Sequence, residues 1–386
     1  MGYDRRLKSK IMKKILFITG TRADYGKIKP LLKEVEKDSN FELYIFVSGM
    51  HLVDKLGSTY REVLKDKYKN VYVDFSQANT GIMSFDLGNV ISNLTNYCRK
   101  IKPDMIVIHG DRIDALAGAV VGALNNIVVA HIEGGELSGT IDESIRHANT
   151  KLSHLHLVSN QDAKERLLQL GEEPKRIFII GSPDIDIMLS NQLPTLDETK
   201  KRYEIGFEKY AICMYHPVTT EVGQLKRNIE TLVNAMIDSK RNYVVVYPNN
   251  DLGSDTIINE YSRLKGNQNF RVFPSLRFEY FLSLLKNADF MIGNSSAGIR
   301  ETGVYGVPGI DIGTRQRGRY TERNKNLQHV EGSYEDIINA ISDVDNYRKI
   351  SYQFGNGNST EKFMEIIRDD NIWNMSIQKV FVDMRK

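Results

Sequence analysis

Short, unbroken apolar runs alternate with amphipathic stretches along almost the whole chain. The runs Lys14–Thr19, Phe41–Val47, Met105–His109, Ile127–Ile132, His156–Ser159 and Ile177–Ile180 read as strands, and Ile28–Lys37 and Asp162–Leu170 between them carry helical spacing. Strands that are apolar throughout are covered on both faces, and strands separated by helices pair in parallel. The second half repeats the pattern. Strands are predicted at Tyr210–Met214, Tyr243–Tyr247, Arg271–Phe273, Phe290–Gly293 and Gly309–Ile312, and helices at Lys226–Ser239, Thr256–Leu264 and Phe278–Lys286. The expectation is an α/β protein of two Rossmann-like domains facing a cleft, residues 14–182 and 208–370, joined through a polar stretch containing Pro194. Residues 1–13 read as an extension outside the fold. Residues 371–386, with the only tryptophan, Trp373, read as a tail helix packed on one of the domains.

Composition narrows the class without naming an activity. Of 386 residues, 41% are hydrophobic and 26% charged, which supports sizeable cores and excludes disorder over most of the chain. A net charge of +3 gives no reason to expect a nucleic acid or a membrane surface as partner. Cys98 and Cys213 stand in unrelated contexts, so neither a disulfide framework nor a thiolate zinc cluster can be assembled, and a reduced, cytoplasmic setting is expected. The longest apolar run, Ala115–Leu124, falls well short of the ~20 residues a spanning helix needs. Behind the basic N-terminus the apolar stretch Ile15–Ile18 is too short for a signal peptide.

In sheets of this kind ligands sit beyond the carboxyl ends of the strands, so the polar residues after each strand are the candidates. Gly20-Thr21-Arg22-Ala23-Asp24-Tyr25-Gly26 follows the first strand and is not a dinucleotide fingerprint. Its glycine turn and Arg22 at a helix start suit an anion, or else form an ordinary turn with a solvated arginine. His109-Gly110-Asp111-Arg112 offers Asp111 as a base, an acceptor or a partner of Arg112. Glu133-Gly134-Gly135-Glu136 follows the next strand, and Thr140-Ile141-Asp142-Glu143 opens a helix carrying Arg146 and His147. Thr140 and Glu143 also have the spacing of a capping box. Asp111, Glu133 and Asp142, converging from adjacent loops, can supply general acid–base groups. His109, His131, His147, His154 and His156 raise the question of a metal, but no HxxxH or HxxEH pair exists, and none is expected.

The second half has its own signal. Asn294-Ser295-Ser296-Ala297-Gly298 leads into a predicted helix, Ile299–Tyr305. Small residues there open backbone N–H groups to a diphosphate, or form a plain serine cap. Glu301, about one turn in, can accept from ribose hydroxyls. Gly313-Thr314-Arg315-Gln316-Arg317-Gly318-Arg319 brings positive charge nearby, and His216-Pro217 ends the facing strand.

In this order, and with His216-Pro217-Val218-Thr219 and Gly293-Asn294-Ser295-Ser296, the motifs resemble the hydrolysing UDP-N-acetylglucosamine 2-epimerases, the sialic-acid branch of the UDP-GlcNAc 2-epimerase family, over about Lys14 to Tyr320. The resemblance implies a GT-B-type fold and the conversion of UDP-GlcNAc and water to ManNAc and UDP through 2-acetamidoglucal, in sialic acid and capsule biosynthesis. It implies action of Asp111, Glu133 and Asp142 at the sugar, with Glu143 a flanking carboxylate whose part stays open. It implies UDP contacts at Arg22, Arg112, His216, Asn249, Phe281, Ser295, Ser296, Glu301 and Arg315. No metal, nicotinamide or other cofactor is implied. The partner is a small-molecule nucleotide sugar, the assembly a cytoplasmic homodimer or homotetramer, and the sugar-kinase domain of the animal enzymes is missing. Two rival enzymes remain: an epimerase for UDP- or GDP-linked diacetylbacillosamine, and a GT-B glycosyltransferase, which does not need the acidic trio. A non-enzymatic nucleotide-sugar sensor leaves those carboxylates without a purpose.

Overall fold

The computed structural model describes residues 12–54, 57–77, 79–138, 141–249, 251–320 and 324–383. The expected N-terminal extension lies almost wholly outside these residues, as does Thr140 of the expected capping box. The first half forms β1 (Lys13–Thr19), β2 (Phe41–Val47), β3 (Val71–Val73), β4 (Met105–His109), β5 (Val128–Ile132), β6 (Leu155–Val158) and β7 (Ile177–Ile179). They make one parallel sheet in the order β3-β2-β1-β4-β5-β6-β7. The second half forms β8 (Ala211–Met214), β9 (Tyr243–Val246), β10 (Phe270–Phe273), β11 (Met291–Gly293), β12 (Gly309–Ile312) and β13 (Leu327–Val330). This sheet is also parallel, in the order β10-β9-β8-β11-β12-β13.

The unbroken apolar strands are buried on both faces, as such strands must be. Ile15, Phe17 and Val107 pack to one side of the first sheet with Leu31 and Leu32, while Leu16, Ile18, Ile106 and Ile108 pack to the other with Val90 and Leu94. The strands not predicted, β3 and β13, are short edge strands with only one buried residue between them, so neither carries an apolar run to be recognised. The 19-residue helix Met83–Ile101 was also missed; its buried positions, such as Val90, Leu94 and Cys98, are spread among polar residues.

The second domain does not run to residue 370. Helix Ser359–Arg368 lies against the first sheet, where Phe363, Met364 and Ile367 join the first core and the Phe363 ring sits 6.1 Å from that of Phe17. The expected tail helix is a single turn, Asp370–Trp373, with no regular structure in the described residues beyond it. That tail does pack on a domain, the first: Trp373 lies 6.2 Å from Phe41, and Lys379 Nζ lies 2.6 Å from Glu172. The expected polar join holds two helices, Pro183–Met188 and Leu196–Tyr203. The outgoing and returning strands of chain touch, with Ser182 N donating to Phe354 O at 2.7 Å and Asp186 capping the amides of Ser359 and Thr360 at 3.0 and 2.7 Å. This double crossing holds the carboxyl ends of the two sheets toward each other.

Candidate active site

The strand order reverses at β1/β4 in one sheet and β8/β11 in the other. Such switch points are where open α/β sheets bind ligands. The loops leaving these strands enclose two adjoining cavities that share Thr21, Lys27, Met50, Asn249 and Ser296. One, of about 260 Å³, is lined by Asp111, Arg112, Glu133, Asp142, Arg146 and Arg315 among others. The second, of about 570 Å³, is walled by Met214, His216, Tyr247, Pro274, Leu276 and Phe281 and also reaches Ser295 and Glu301.

The first cavity collects the three predicted carboxylates, and the protein treats them differently. Asp111 follows β4; its Oδ2 is paired with Arg146 and accepts from Ser138 Oγ at 3.2 Å. The partner is therefore Arg146 rather than the neighbouring Arg112. Burial works to raise the Asp111 pKa, but Arg146, then Arg319 and Arg112, hold it below the usual range. Glu133 follows β5 with a left-handed backbone, φ +62°, a conformation uncommon for a side chain of this kind. The turn is closed by Gly135, φ +76°, where a Cβ would stand 2.3 Å from the Ala163 carbonyl oxygen, so only glycine fits. Glu133 Oε1 accepts from Arg300 Nη2 at 2.6 Å and from Ser182 Oγ, and Oε2 lies 3.3 Å from His109 Nε2. Against the desolvation cost, Arg300, Lys27 and His109 keep this carboxyl well below its ordinary range. Asp142, in the first turn of helix Ile141–Leu152, goes the other way. Burial first, then the Asp111 and Asp251 charges, raise its pKa against the pull of Arg112, 3.9 Å away, and Arg315. Glu143 braces the loop, with Oε2 accepting from Ser138 N at 2.9 Å and Oε1 3.5 Å from His147.

The second cavity is built for a neutral, flat group with an anion at its inner end. His216 Nδ1 accepts from Asn249 N at 3.0 Å, which leaves the proton on Nε2. Burial, then Arg315 and Arg112, push its pKa down to about 3, so the ring is a neutral donor. Asn294 joins His216 to the serine turn: its Oδ1 accepts from His216 N at 2.6 Å, and its carbonyl oxygen accepts from Arg315 Nη1 at 3.2 Å. At Gly293 a Cβ would meet the Met214 carbonyl oxygen at 2.0 Å, so the two strand ends approach as only glycine permits. The predicted helix Ile299–Tyr305 begins two residues later than expected, behind a separate turn. Ser296–Gly298 is one 3-10 turn with Ser295 Oγ accepting from Ala297 N, and the helix proper is Glu301–Tyr305. Glu301 is therefore its first residue, not a turn in. Buried, with Oε1 3.7 Å from Lys27 Nζ and no hydrogen bond to Oε2 among the described residues, it lines the cavity. Burial, with Asp184 nearby, raises its pKa despite Lys27.

The first helix opens with a capping box, in which Thr21 Oγ1 accepts from Asp24 N at 3.1 Å and Asp24 takes the amides of Gly20 and Thr21. Arg22, on the wall of the second cavity, donates to Ser275 Oγ at 2.9 Å, Leu276 O at 3.3 Å and Glu62 at 2.8 Å. The histidines likewise have separate occupations. His131 bonds Gly110 O at 2.8 Å, His154 accepts from Val129 N at 3.0 Å, and His156 meets Glu172 at 2.9 Å. Among the described residues no group of three or more His, Cys, Asp or Glu side chains is arranged to hold a metal, and no helix is long and apolar enough to cross a membrane.

Residues 33–368 match the sequence profile of the UDP-N-acetylglucosamine 2-epimerase family. The chain belongs to that family. It is 48% identical over 378 residues, 97% of this chain and 100% of the relative, to the UDP-N-acetylglucosamine 2-epimerase of Neisseria meningitidis serogroup B. It is 32% identical, over 93% of this chain and 96% of the relative, to the hydrolysing UDP-N,N'-diacetylbacillosamine 2-epimerase of Legionella pneumophila. A crystal structure of a UDP-GlcNAc 2-epimerase from Neisseria meningitidis bound to UDP-GlcNAc shares the fold, with a TM-score of 0.79 at 19% identity over 92% of this chain and 99% of that one. Within this UDP-GlcNAc 2-epimerase family fold, sequence reasoning missed Lys27 and Arg300. Lys27 Nζ sits between Asp184 (3.0 Å) and Glu301 (3.7 Å), and Arg300 between Glu133 and Glu136. Their partners come from the other domain or the crossing, so no local spacing announces them.

Proposed function

We propose that the chain is a hydrolysing UDP-GlcNAc 2-epimerase, turning UDP-GlcNAc and water into ManNAc and UDP. The observation that carries this reading is the convergence of Asp111, Glu133 and Asp142 on one cavity that opens directly into a nucleotide-sized one. A glycosyltransferase needs the second cavity but not three carboxylates in the first. In this reading uracil lies along Phe281 and the Leu276 backbone, the ribose meets Glu301, and the diphosphate meets the Ser295-Ser296 turn, His216 Nε2, Arg112 and Arg315, with Arg22 and Asn249 at the walls.

The chemistry then follows from the substrate. The C2 proton is barely acidic, so it leaves only as the C1–O bond to UDP breaks. A carboxylate takes H2, the C1–O electron pair leaves with UDP, and 2-acetamidoglucal remains. Arg315, Arg112 and the serine-turn amides stabilise the charge that grows on the diphosphate. Water then adds at C1 while a proton enters C2 from the opposite face, giving ManNAc. Inversion requires proton-transfer groups on both faces of the ring, hence more than one carboxylate. Asp142, titrating above its ordinary range, is the member suited to trade a proton between the steps. Asp111 and Glu133 stay anionic, held by Arg146 and Arg300. Cys98 and Cys213, both buried and unlinked, fit a reducing, cytoplasmic setting.

The 48% identity to an enzyme named for UDP-GlcNAc, against 32% to one named for the diacetamido sugar, favours GlcNAc as the sugar. The test is a substrate panel in EDTA: UDP-GlcNAc, UDP-diacetylbacillosamine and its GDP analogue, with released sugars identified by NMR. Free ManNAc and UDP, formed fastest from UDP-GlcNAc, are expected. Preferential turnover of a diacetamido substrate reassigns the sugar, and a product still linked to UDP removes the hydrolytic step.

A further inference from the structure

Arg300 is the one side chain that reaches from the nucleotide-binding turn to an acid–base carboxylate. Its backbone belongs to the second domain: Arg300 N bonds Ser296 O at 3.0 Å, and the next residue is Glu301. Its guanidinium is buried, and the hydrogen-bond partners it has among the described residues lie elsewhere. Nη2 donates to Glu133 Oε1 at 2.6 Å and to Ser182 Oγ, Nη1 donates to Glu136 Oε2 at 2.5 Å, and the plane lies 4.8 Å from the Phe354 ring centre. Glu133 and Glu136 are first-domain residues, while Ser182 and Phe354 lie on the two crossings. The bonds to Glu133 and Glu136 therefore join the two domains, while Phe354 packs in the core of the second. Glu133 Oε1 is held by Arg300 and by Ser182, itself bonded to Arg300, while His109 stands near Oε2 and the Lys27 charge also favours the anion. A buried carboxylate stripped of such partners does not stay ionised.

Resting on the reading above, we infer that Arg300 is a positioning residue that orients Glu133 for the acid–base step from the second domain. The serine turn and Glu301 engage the nucleotide, and the adjoining Arg300 delivers the fork that orients Glu133 and keeps it anionic. The charged groups facing Glu133 are Lys27 from the first helix, His109 from β4, Arg146 from the Asp142 helix, Glu136 from its own loop, Asp184 from the crossing and Arg300 itself. Of these cations Arg300 is the one from the second domain, and Arg319 of that domain stands 3.9 Å from Glu136.

The experiment compares wild type with Arg300→Lys and Ser182→Ala in kcat, KM, UDP affinity by calorimetry and the pH profile of kcat. Arg300→Lys keeps a charge but not the fork. It should lower kcat by about 10–100-fold, the cost of a misplaced reacting group, with UDP affinity within about threefold of wild type. The acid limb of its profile should steepen and move to higher pH, because Glu133, held less firmly as an anion, takes up its proton nearer the range in which Asp142 does. Ser182→Ala should shift kcat and the limb in the same directions by less, and it decides the matter where Arg300→Lys fails to fold. UDP affinity that falls in step with kcat would make Arg300 a diphosphate ligand and overturn the positioning role. Unchanged kcat and an unmoved acid limb in the folded variants would overturn it too. Failure of the underlying reading shows separately, as a wild-type protein that releases no ManNAc.

Discussion

The two halves of the cleft solve different problems with different materials. The first-domain half is crowded with opposed charges: Asp111 with Arg146, Glu133 with Arg300, Asp142 near Arg112. The second-domain half offers apolar walls, a neutral His216, small serines and one buried carboxylate, Glu301. Reaction chemistry needs carboxylates of fixed and differing ionisation, and burial with like or opposite charges alongside sets them apart. Holding a nucleotide needs shape, donors and a close backbone, which small residues provide. The contrast predicts that damage to the two halves will appear in different kinetic constants.

The largest effects should come from the charged half. Asp111→Asn, Glu133→Gln and Asp142→Asn should each reduce kcat by roughly 10²–10⁴, the usual worth of a placed proton-transfer group, while UDP binding measured by calorimetry changes little. Near wild-type turnover in all three would erase the distinction between the halves. Next comes Glu301→Ala. A charged acceptor on hydroxyls present in ground and transition state alike is worth about 1.5–3 kcal/mol, so KM and the UDP dissociation constant should rise about 10- to 100-fold with kcat comparatively intact. A lowered melting temperature with unaltered UDP binding would reduce Glu301 to a helix-end charge. A subtler effect sharpens the charged half. Asp142 titrates above the ordinary carboxylate range, so kcat of wild type should fall as pH drops through that raised value, and Asp142→Asn should lose this limb.

The smallest effect separates framework from chemistry. Burial holds the His131 and His216 rings at about 3 and that of His51 at about 4, against an ordinary 6.5. Below pH 6.5 the unfolded chain takes up protons that the folded protein refuses. The stability these rings contribute is therefore complete above 6.5 and lost as pH falls toward 4 and 3. Glu172, lowered to about 2, adds the same sign at more acid pH, while Asp114, raised to about 6, opposes it. The melting temperature should decline from pH 6.5 to 4 in differential scanning fluorimetry, and a rise over that range would contradict the neutral-histidine framework.

What could be read from sequence divides along the same physical lines. Central strands such as β4 and β5 carry continuous apolar runs and stand within a residue of where the pattern puts them. Edge strands β3 and β13 need fewer buried side chains and escape it. The three carboxylates were legible because each sits just past a strand or opens a helix, positions that face the cleft by topology. Arg300 and Lys27 were not, because a side chain that crosses between domains leaves no trace in local spacing, and the Asp111–Arg146 pairing was not because it joins two first-domain elements far apart in the chain. The return of Ser359–Arg368 to the first core was hidden for the same reason: an amphipathic helix states that it has a buried face, not which domain supplies the cover.

The most direct test of the central claim follows hydrogen rather than residues. Wild-type protein is given UDP-GlcNAc in D₂O with EDTA, and the product is examined by NMR. The account predicts free ManNAc bearing deuterium at C2, formed in step with UDP. Free ManNAc that keeps the original C2 proton would contradict elimination and solvent reprotonation by the Asp111, Glu133 and Asp142 cluster, and activity restored only by added metal would contradict the metal-free chemistry assigned to it.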